Sequence, residues 1–510
     1  MNIKEFVVPG LIALLFTMSF QYLFLNKKTE VAAGEGKTGQ SFIAPRTISE
    51  AKPLNLEVNF LGDKLSRDPV KTHVETPYAN FIFSEEGASL EKLTFKEHQD
   101  ESSKLMTTVA ATDQTNREGR CFLLALDGLT PYYYRLVSEQ KSDIATELIY
   151  EASSQQVYIQ KKFIIHNNKH QIDLIVTIDP YAGSDNVLRI MYPSPFIEEI
   201  VKYDAYAALV INEKNSLEKI LLKKIDSHRG WFAPVIFGTE NKYFIHAMVN
   251  DPQHFVQRAY YKISCNSLIS ILEGAQIKGK KEWEISFYMG PKTDHAIEQV
   301  DGRLEGAIEH SGLLAPLSRL LLYILKFLHH YLHNYGIAII VLTMLLKLVL
   351  VPFSFKSKAS FKKQAEFQKK LTYIQQRYKD EPELLARERA DLIRKYGMPG
   401  LGAMVPMLLQ FPIFIALNRV LSSSIEMYKS SFLWIPDLSG YDPYYILAFL
   451  VTLSMIINAL WAEPKQRISL LAFGLVFGAI AANFSAGLAL FVFINTAMTT
   501  AQTIIQGKAS

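Results

Sequence analysis

Apolar residues in this chain are gathered at its two ends. One run, Phe6–Leu25, lies at the extreme N-terminus, and a series of runs follows residue 315. Between them apolar and polar residues alternate or mix. A helix needs about 20 apolar residues to cross a bilayer at 1.5 Å rise per residue. Phe6–Leu25, Gly336–Phe353, Gly400–Leu421, Pro443–Trp461, Ile468–Phe484 and Ala486–Ile505 reach or approach that length. The pattern predicts six spans, the last two joined by a tight hairpin at Asn483–Ser485. The first run admits two readings. Val31-Ala32-Ala33 resembles the small-residue cleavage site of a signal peptide, but the apolar stretch is longer than a usual signal core. The length favours an uncleaved anchor over residues 1–25.

The middle of the chain has a different period. Residues 26–70 are polar and glycine-bearing and read as a linker. From 71 to 312, short runs such as Asn80–Ser84, Pro131–Ser138, Gln156–His166 and Gln171–Asp179 are rich in aromatic and β-branched residues. Turn signals fall between runs, among them Glu86-Gly87, Asp127-Gly128 and Asn167-Asn168. Strands and turns over this length predict a β-sandwich-type domain. His166 and His170 are four apart, but in strand-and-turn context they do not share a helical face. They read as surface histidines rather than a metal pair. Cys121 and Cys265 are the two cysteines, with no CxxC or Cys/His cluster, so no structural zinc is predicted. One disulfide is compatible with the sequence and not established by it. No nucleophile–base arrangement, paired carboxylates or phosphate loop stands out. The chain reads as a non-enzyme with no cofactor or metal.

Residues 313–333 precede the second span. Leu314, Leu317, Leu321, Ile324, Leu325 and Leu328 recur at helical spacing, with Arg319 and Lys326 off that stripe. This predicts an amphipathic helix in the plane of the membrane surface. Residues 354–398 hold a basic segment. Phe367, Leu371, Ile374 and Tyr378 form a narrow apolar seam, Asp380-Glu381-Pro382 breaks it, and Leu385, Leu392 and Tyr396 begin another. Two antiparallel helices follow from this. Lys356 to Lys395 contains 12 Lys/Arg against 6 Asp/Glu, whereas Ser422–Asp442 holds one basic residue, Lys429. The basic excess places the hairpin, the 463–467 link and the tail 506–510 in the cytoplasm. Alternation then puts the N-terminus inside and residues 26–315 outside. Lys4 before the first span and Lys27 and Lys28 after it argue weakly the other way. The formal net charge is only +4. That gives no basic face for nucleic acid. It leaves the hairpin as a docking surface for anionic lipid, ribosome or targeting machinery, or as a plain topological signal.

Lys347 carries the candidate chemistry. It is the one basic residue of Gly336–Phe353, and a charge within a span is a functional candidate because its insertion is expensive. It also lies six residues from Phe353, roughly 9 Å at 1.5 Å per residue, within reach of snorkelling. Thr343 is four residues away on the same face. Gln410 and Asn495 are further polar residues within spans, and such groups turn inward rather than to lipid. A polar, cytoplasm-open groove results. A secondary transporter would need repeated, interrupted spans and several intramembrane charges, and the chain shows neither. A non-inserting assembly chaperone or scaffold is the remaining alternative.

Residues 336–505 resemble the YidC family of membrane protein insertases. The resemblance runs in order through the span with one basic residue, the lysine-rich hairpin, Pro406–Leu417, Phe432–Leu447 and Ser485–Asn495. Its most specific part is Leu433-Trp434-Ile435, Asp437-Leu438-Ser439 and Asp442-Pro443-Tyr444-Tyr445. Glu86-Gly87-Ala88-Ser89-Leu90, Gly230-Trp231-Phe232 and Gly290-Pro291-Lys292 extend it into the outer domain, as in the Gram-negative form. The resemblance implies a polytopic inner-membrane protein with six spans and a five-helix insertase core (336–353 and 400–505). It implies insertion of hydrophobic segments of nascent proteins, alone or beside the Sec translocon, without nucleotide hydrolysis. Three departures stand out. Lys347 occupies a position that is usually arginine. The lead into the third span reads Met398-Pro399-Gly400-Leu401-Gly402-Ala403. Phe491 and Val492 lie in the substrate groove where some relatives carry two tyrosines.

Overall fold

The computed structural model describes residues 60–61, 68–99, 105–111, 119–126, 130–154, 157–181, 187–196, 207–211, 217–225, 230–264, 267–307, 314–378, 381–396, 401–461 and 464–507. The anchor at 1–25, nearly all of the linker and Cys265 lie outside these residues, as do the side chains of 350–366. The chain divides into a β-rich unit and a helical unit.

The β-rich unit is a sandwich around a nine-stranded antiparallel sheet. Its spatial order is Leu217–Leu221, Ala207–Ile211, Ile236–Glu240, Phe244–Asn250, Lys281–Pro291, Gln171–Pro180, Val157–His166, Ala145–Ser153 and Arg135–Lys141. Val157–His166 buries every second residue along its whole length, the period-2 signature of a half-buried strand. One face of this sheet is covered twice. A five-stranded sheet sets Tyr192 against Phe287 and stacks Tyr261 on Phe237 at 4.3 Å. A four-stranded sheet sets Phe83 against Phe163 and stacks Phe95 on Phe244 at 4.9 Å. The other face packs Ile245, Ala247 and Tyr288 against the short helix α1 (Asp294–Glu298).

Two expectations change here. Tyr132–Tyr134 is not strand. Thr130–Pro131 pairs briefly with Phe60–Leu61, and the long strand starts at Arg135. Pro131 has no N–H for a ladder, and Tyr134 N bonds Glu85 O instead. His170 is not a surface residue, and His166 is only partly exposed. His166 sits 2.6 Å from Asp173 Oδ2, and His170 is buried beneath the Tyr78 ring. Pairing and aromatic packing make both structural. Cys121 is a buried thiol.

Two buried polar side chains pin the place where the three sheets meet. Lys161 is 0% exposed, and its ammonium donates to the carbonyls of Gly87 (2.6 Å), Ala88 (2.9 Å) and Phe122 (2.5 Å). His246 lies 3.0 Å from Pro193 O through Nδ1 and 3.3 Å from Thr108 Oγ1 through Nε2. Burial, partly opposed by the Pro193 bond, pushes the His246 imidazole down to about 4 from 6.5. The imidazole is therefore neutral when folded, and the unfolded chain takes up the proton first as pH falls below about 6.5. Stability is fully present above that pH and is lost as pH falls toward 4, by roughly 3 kcal/mol for this one group. Melting the full-length protein at pH 7 and pH 4.5 should show the β-rich unit destabilised in acid. His246→Gln should flatten that dependence, and an unchanged slope in this variant would remove His246 as its source.

The helical unit contains α2 (Ala315–Leu332), α3 (Tyr335–Arg377), α4 (Pro382–Tyr396), α5 (Leu401–Ser423), α6 (Ile446–Leu460), α7 (Pro464–Ala481) and α8 (Ala486–Gly507). Helix α2 ends at His333, whose left-handed φ of 52° turns its N–H back to His329 O at 2.7 Å. Asn334 then caps α3 through Ile337 N at 3.1 Å. This Ccap–Ncap pair lets the chain reverse within two residues. Leu321 and Leu325 of α2 enter a core with Ala338, Ile339 and Leu342 of α3, Leu417 and Val420 of α5, Val451 of α6 and Leu488 of α8. A Cβ at Gly478 would lie 1.8 Å from Thr452 Oγ1, so glycine permits the α6–α7 approach.

Helix bounds differ from the apolar runs. By length and composition, Ala486–Ile504 alone among the described helices suffices to cross a membrane. Tyr335–Val349, Ile446–Leu460 and Arg467–Ala481 are apolar but shorter. Pro443–Tyr445 belong to a turn, so α6 starts at Ile446. Helix α3 does not stop near Phe353 but continues through Pro352 to Arg377, so the first arm of the basic hairpin extends the apolar helix. Within that arm Phe367 and Ile374 are buried, while Tyr373 is exposed.

Candidate functional site

Ile339, Thr343 and Lys347 follow one another at four-residue steps, so they form one ridge of α3. The first two point into the core and are buried. Lys347 is half-buried and reaches α8. Its ammonium donates to Thr499 Oγ1 at 2.7 Å and to Asn495 Oδ1 at 3.3 Å. Asn495 and Thr499 are themselves four apart and share a face of α8. The Thr499 hydroxyl donates to the Asn495 carbonyl at 2.8 Å. Its proton is thereby engaged, and its lone pairs face the ammonium.

A polar track continues along α8. Thr496 and Ser454 of α6 share a hydrogen bond at 2.9 Å, and Thr500 donates to the Ser454 carbonyl at 2.9 Å. Thr503 donates to Thr499 O at 3.0 Å. Lys347 thus lies beside a threonine-rich helix face, with neutral oxygens as its hydrogen-bond partners. Among the described residues it makes no ion pair.

The predicted site residues divide accordingly. Lys347 and Asn495 are brought into contact. Thr343 is on the same ridge but only 1% exposed, and its hydroxyl donates to Ile339 O at 2.6 Å, so it does not meet Lys347. Gln410 is half-buried on α5, and no hydrogen bond joins it to Lys347 or Asn495. Phe491 and Val492 stand apart from this contact. They are 4% and 5% exposed within the packed core and present no open surface. Both are apolar and lie in the first turns of α8. Thr499, which makes the shorter contact to Lys347, was not anticipated. Its spacing of four from Asn495 was the available signal.

One end of the helical unit is closed by residues 427–445. Asp437 Oδ1 accepts from Ser439 N at 2.8 Å and Ser439 Oγ at 2.7 Å. Asp442 accepts from Trp434 Nε1 (3.1 Å), Tyr444 N (3.2 Å) and Leu447 N (2.7 Å). Trp434 is half-buried, and its indole is held within the segment. The carbonyls of Gly440 and Leu438 receive Ala486 N and Gly487 N at 2.6 and 2.8 Å. These amides are among the four that a helix N-terminus leaves unpartnered. Phe432 fills the space beside Gly336, where a Cβ would stand 2.2 Å from its ring.

Two family descriptions match the chain: "60Kd inner membrane protein" over residues 327–510 and "YidC periplasmic domain" over residues 71–324. A membrane protein insertase YidC of Geobacter metallireducens is 27% identical over 98% of this chain and 97% of its own. Another, of Helicobacter pylori, is 27% identical over 76% of this chain and 73% of its own. Among solved structures, an active YidC insertase with its first transmembrane domain resolved aligns over 88% of this chain and 94% of its own. The TM-score is 0.35 and the identity 17%.

Proposed function

Because the chain belongs to the YidC family of membrane protein insertases, in the form with a large periplasmic domain, we propose a groove mechanism centred on Lys347. Hydrophobic segments of nascent proteins enter a hydrated groove open to the cytoplasm and leave it laterally into the inner membrane. Helices α3, α5, α6, α7 and α8 serve as the five-helix core, with the anchor at 1–25 as the sixth span. The hairpin and both termini are cytoplasmic, and residues 26–315 are periplasmic. The chain acts alone or beside the Sec translocon. The lysine-rich hairpin offers ribosome or signal-recognition machinery a basic surface, and α2 lies along the lipid surface.

What most supports this reading is a half-buried ammonium held by two neutral oxygens. A charge placed in an apolar helix without a counter-ion is expensive. An acidic residue in a translocating tail supplies that counter-ion transiently. The attraction between two unit charges near 4 Å is about 4 kcal/mol at an effective dielectric of 20, before desolvation is subtracted. Lipid transfer of about 20 Leu, Ile, Phe or Val residues contributes about 6–12 kcal/mol. Capture is therefore the weaker term, and release into lipid proceeds without ATP.

The test is insertion into vesicles of a small substrate whose translocated tail carries acidic residues. Lys347→Met should lower its rate by about tenfold, equivalent to about 1.4 kcal/mol, and Lys347→Arg should retain most of it. Wild-type rates in Lys347→Met would refute the role of the charge. Insertion that stays intact on depletion of the protein, with only folding impaired, would favour a chaperone instead.

A further inference from the structure

We infer that Thr499 is a positioning residue for Lys347, holding its ammonium against α8 so that one N–H remains for a single substrate carboxylate. The inference rests on the reading of Lys347 as the capture charge and adds how that charge is aimed. A lysine ammonium has three donors and no acceptor. Two are directed at Thr499 Oγ1 and Asn495 Oδ1, at 2.7 and 3.3 Å. The shorter bond belongs to the residue whose own proton is engaged at 2.8 Å by the Asn495 carbonyl. Because that proton points along the helix, the oxygen meets Lys347 as an acceptor. Threonine suits the task because its β-branch restricts χ1, and its hydroxyl bonds the carbonyl four residues back.

The arrangement also bears on lysine standing in place of arginine. A guanidinium presents five donors in a planar fork matched to a carboxylate. Two oxygens one helical turn apart on α8 instead fit a compact ammonium and leave it a single outward bond. The site then selects for one carboxylate as a point charge, with no bidentate geometry to satisfy. Thr499 shapes that preference without touching the substrate.

The experiment uses the full-length protein in vesicles with two substrates that differ only in the tail, Asp in one and Asn in the other. The readout is the ratio of acidic-tail to neutral-tail insertion rates. Thr499→Val keeps the volume and removes the acceptor, and should lower the ratio by about fivefold, as loss of one hydrogen bond of about 1 kcal/mol implies. Thr499→Ser restores the acceptor and should bring the ratio back to within about twofold of wild type. If Thr499→Val does not fold, Thr499→Ala carries the same expectation. Equal slowing of both substrates, or a serine variant as poor as the valine, overturns the inference. Lys347→Met is measured alongside. A ratio that falls in Lys347→Met but not in Thr499→Val leaves the capture charge standing and removes Thr499's role. A ratio unchanged in Lys347→Met removes both.

Discussion

Lys161→Met is expected to lower the melting temperature of the β-rich unit by roughly 10 °C. The Lys161 ammonium is fully buried and bonded to three carbonyls, those of Gly87, Ala88 and Phe122. All three residues have left-handed backbones, with φ of 67°, 38° and 68°. Two of them are not glycine, so the conformation is strained and persists only where the surroundings enforce it. Burial pulls the Lys161 pKa well below its ordinary 10.5. Yet three acceptors at these distances call for three N–H donors, which only the charged form supplies. Methionine fills most of the volume and removes the buried charge, but it orphans all three carbonyls. Each orphaned group costs about 1–3 kcal/mol. Even after relief of the buried charge, a net loss of about 4 kcal/mol is expected, and each kcal/mol lowers the melting temperature of a unit this size by about 2–4 °C. Calorimetry of the full-length protein reads the β-rich unit's transition. A variant melting within about 2 °C of wild type would mean the carbonyls find other partners, and the pin would be dispensable.

That lysine also shows where sequence reading reached and where it stopped. The strand Val157–His166 was legible from period-2 alternation. Val157, Ile159, Phe163 and Ile165 share one parity, and Lys161 falls on it. A lysine on an apolar parity was thus visible as an exception. Its partners were not, because they come from a turn and a loop far away in sequence that only the sheet packing brings near. His166 and His170 failed for the same reason, since neither Asp173 pairing nor Tyr78 packing leaves a local signature. In the helical unit, hydropathy located the helices but not their ends. Asp442 caps the first turn of α6 through Leu447 N and keeps Pro443–Tyr445 in the preceding turn. Pro352 lies inside α3, because proline removes one intrahelical bond and does not forbid continuation.

The site was half legible. Lys347 and Asn495 stood out because charge and amide are rare within apolar runs. Thr499 did not, since threonine is ordinary there and matters only through its distance to Lys347. Phe491 and Val492 entered through the family resemblance alone, and both pack within the core of the helical unit. Polar residues in apolar helices are a guide of their own, because a buried donor must find an acceptor whatever the family pattern holds.

Asp442→Ala should loosen the N-terminal ends of α6 and α8 together. The Asp442 carboxylate is buried and accepts three bonds, from the Trp434 indole, Tyr444 N and Leu447 N. The α6 N-cap residue, Tyr445, has a left-handed φ of 56° and offers no side-chain cap, so Asp442 takes over that task from three residues upstream. Bonds to an ionised acceptor are worth about 1.5–3 kcal/mol each, and their joint loss is expected to cost about 4 kcal/mol locally. The same segment presents Leu438 O and Gly440 O to the first amides of α8, so its loosening exposes those amides too. Amide exchange in the detergent-solubilised protein reads both ends: Leu447, Ala486 and Gly487 should lose protection, while Ala489 and residues farther along α8 keep theirs. Asp442→Asn retains one carbonyl acceptor and should fall between wild type and alanine. Loss at Leu447 with full protection at Ala486 and Gly487 would show that the segment holds α8 independently of Asp442. Slower insertion in Asp442→Ala with the acidic-to-neutral substrate ratio unchanged would then separate a loosened frame from a misplaced Lys347, because in the proposed mechanism the frame supports both substrates while the ammonium distinguishes them.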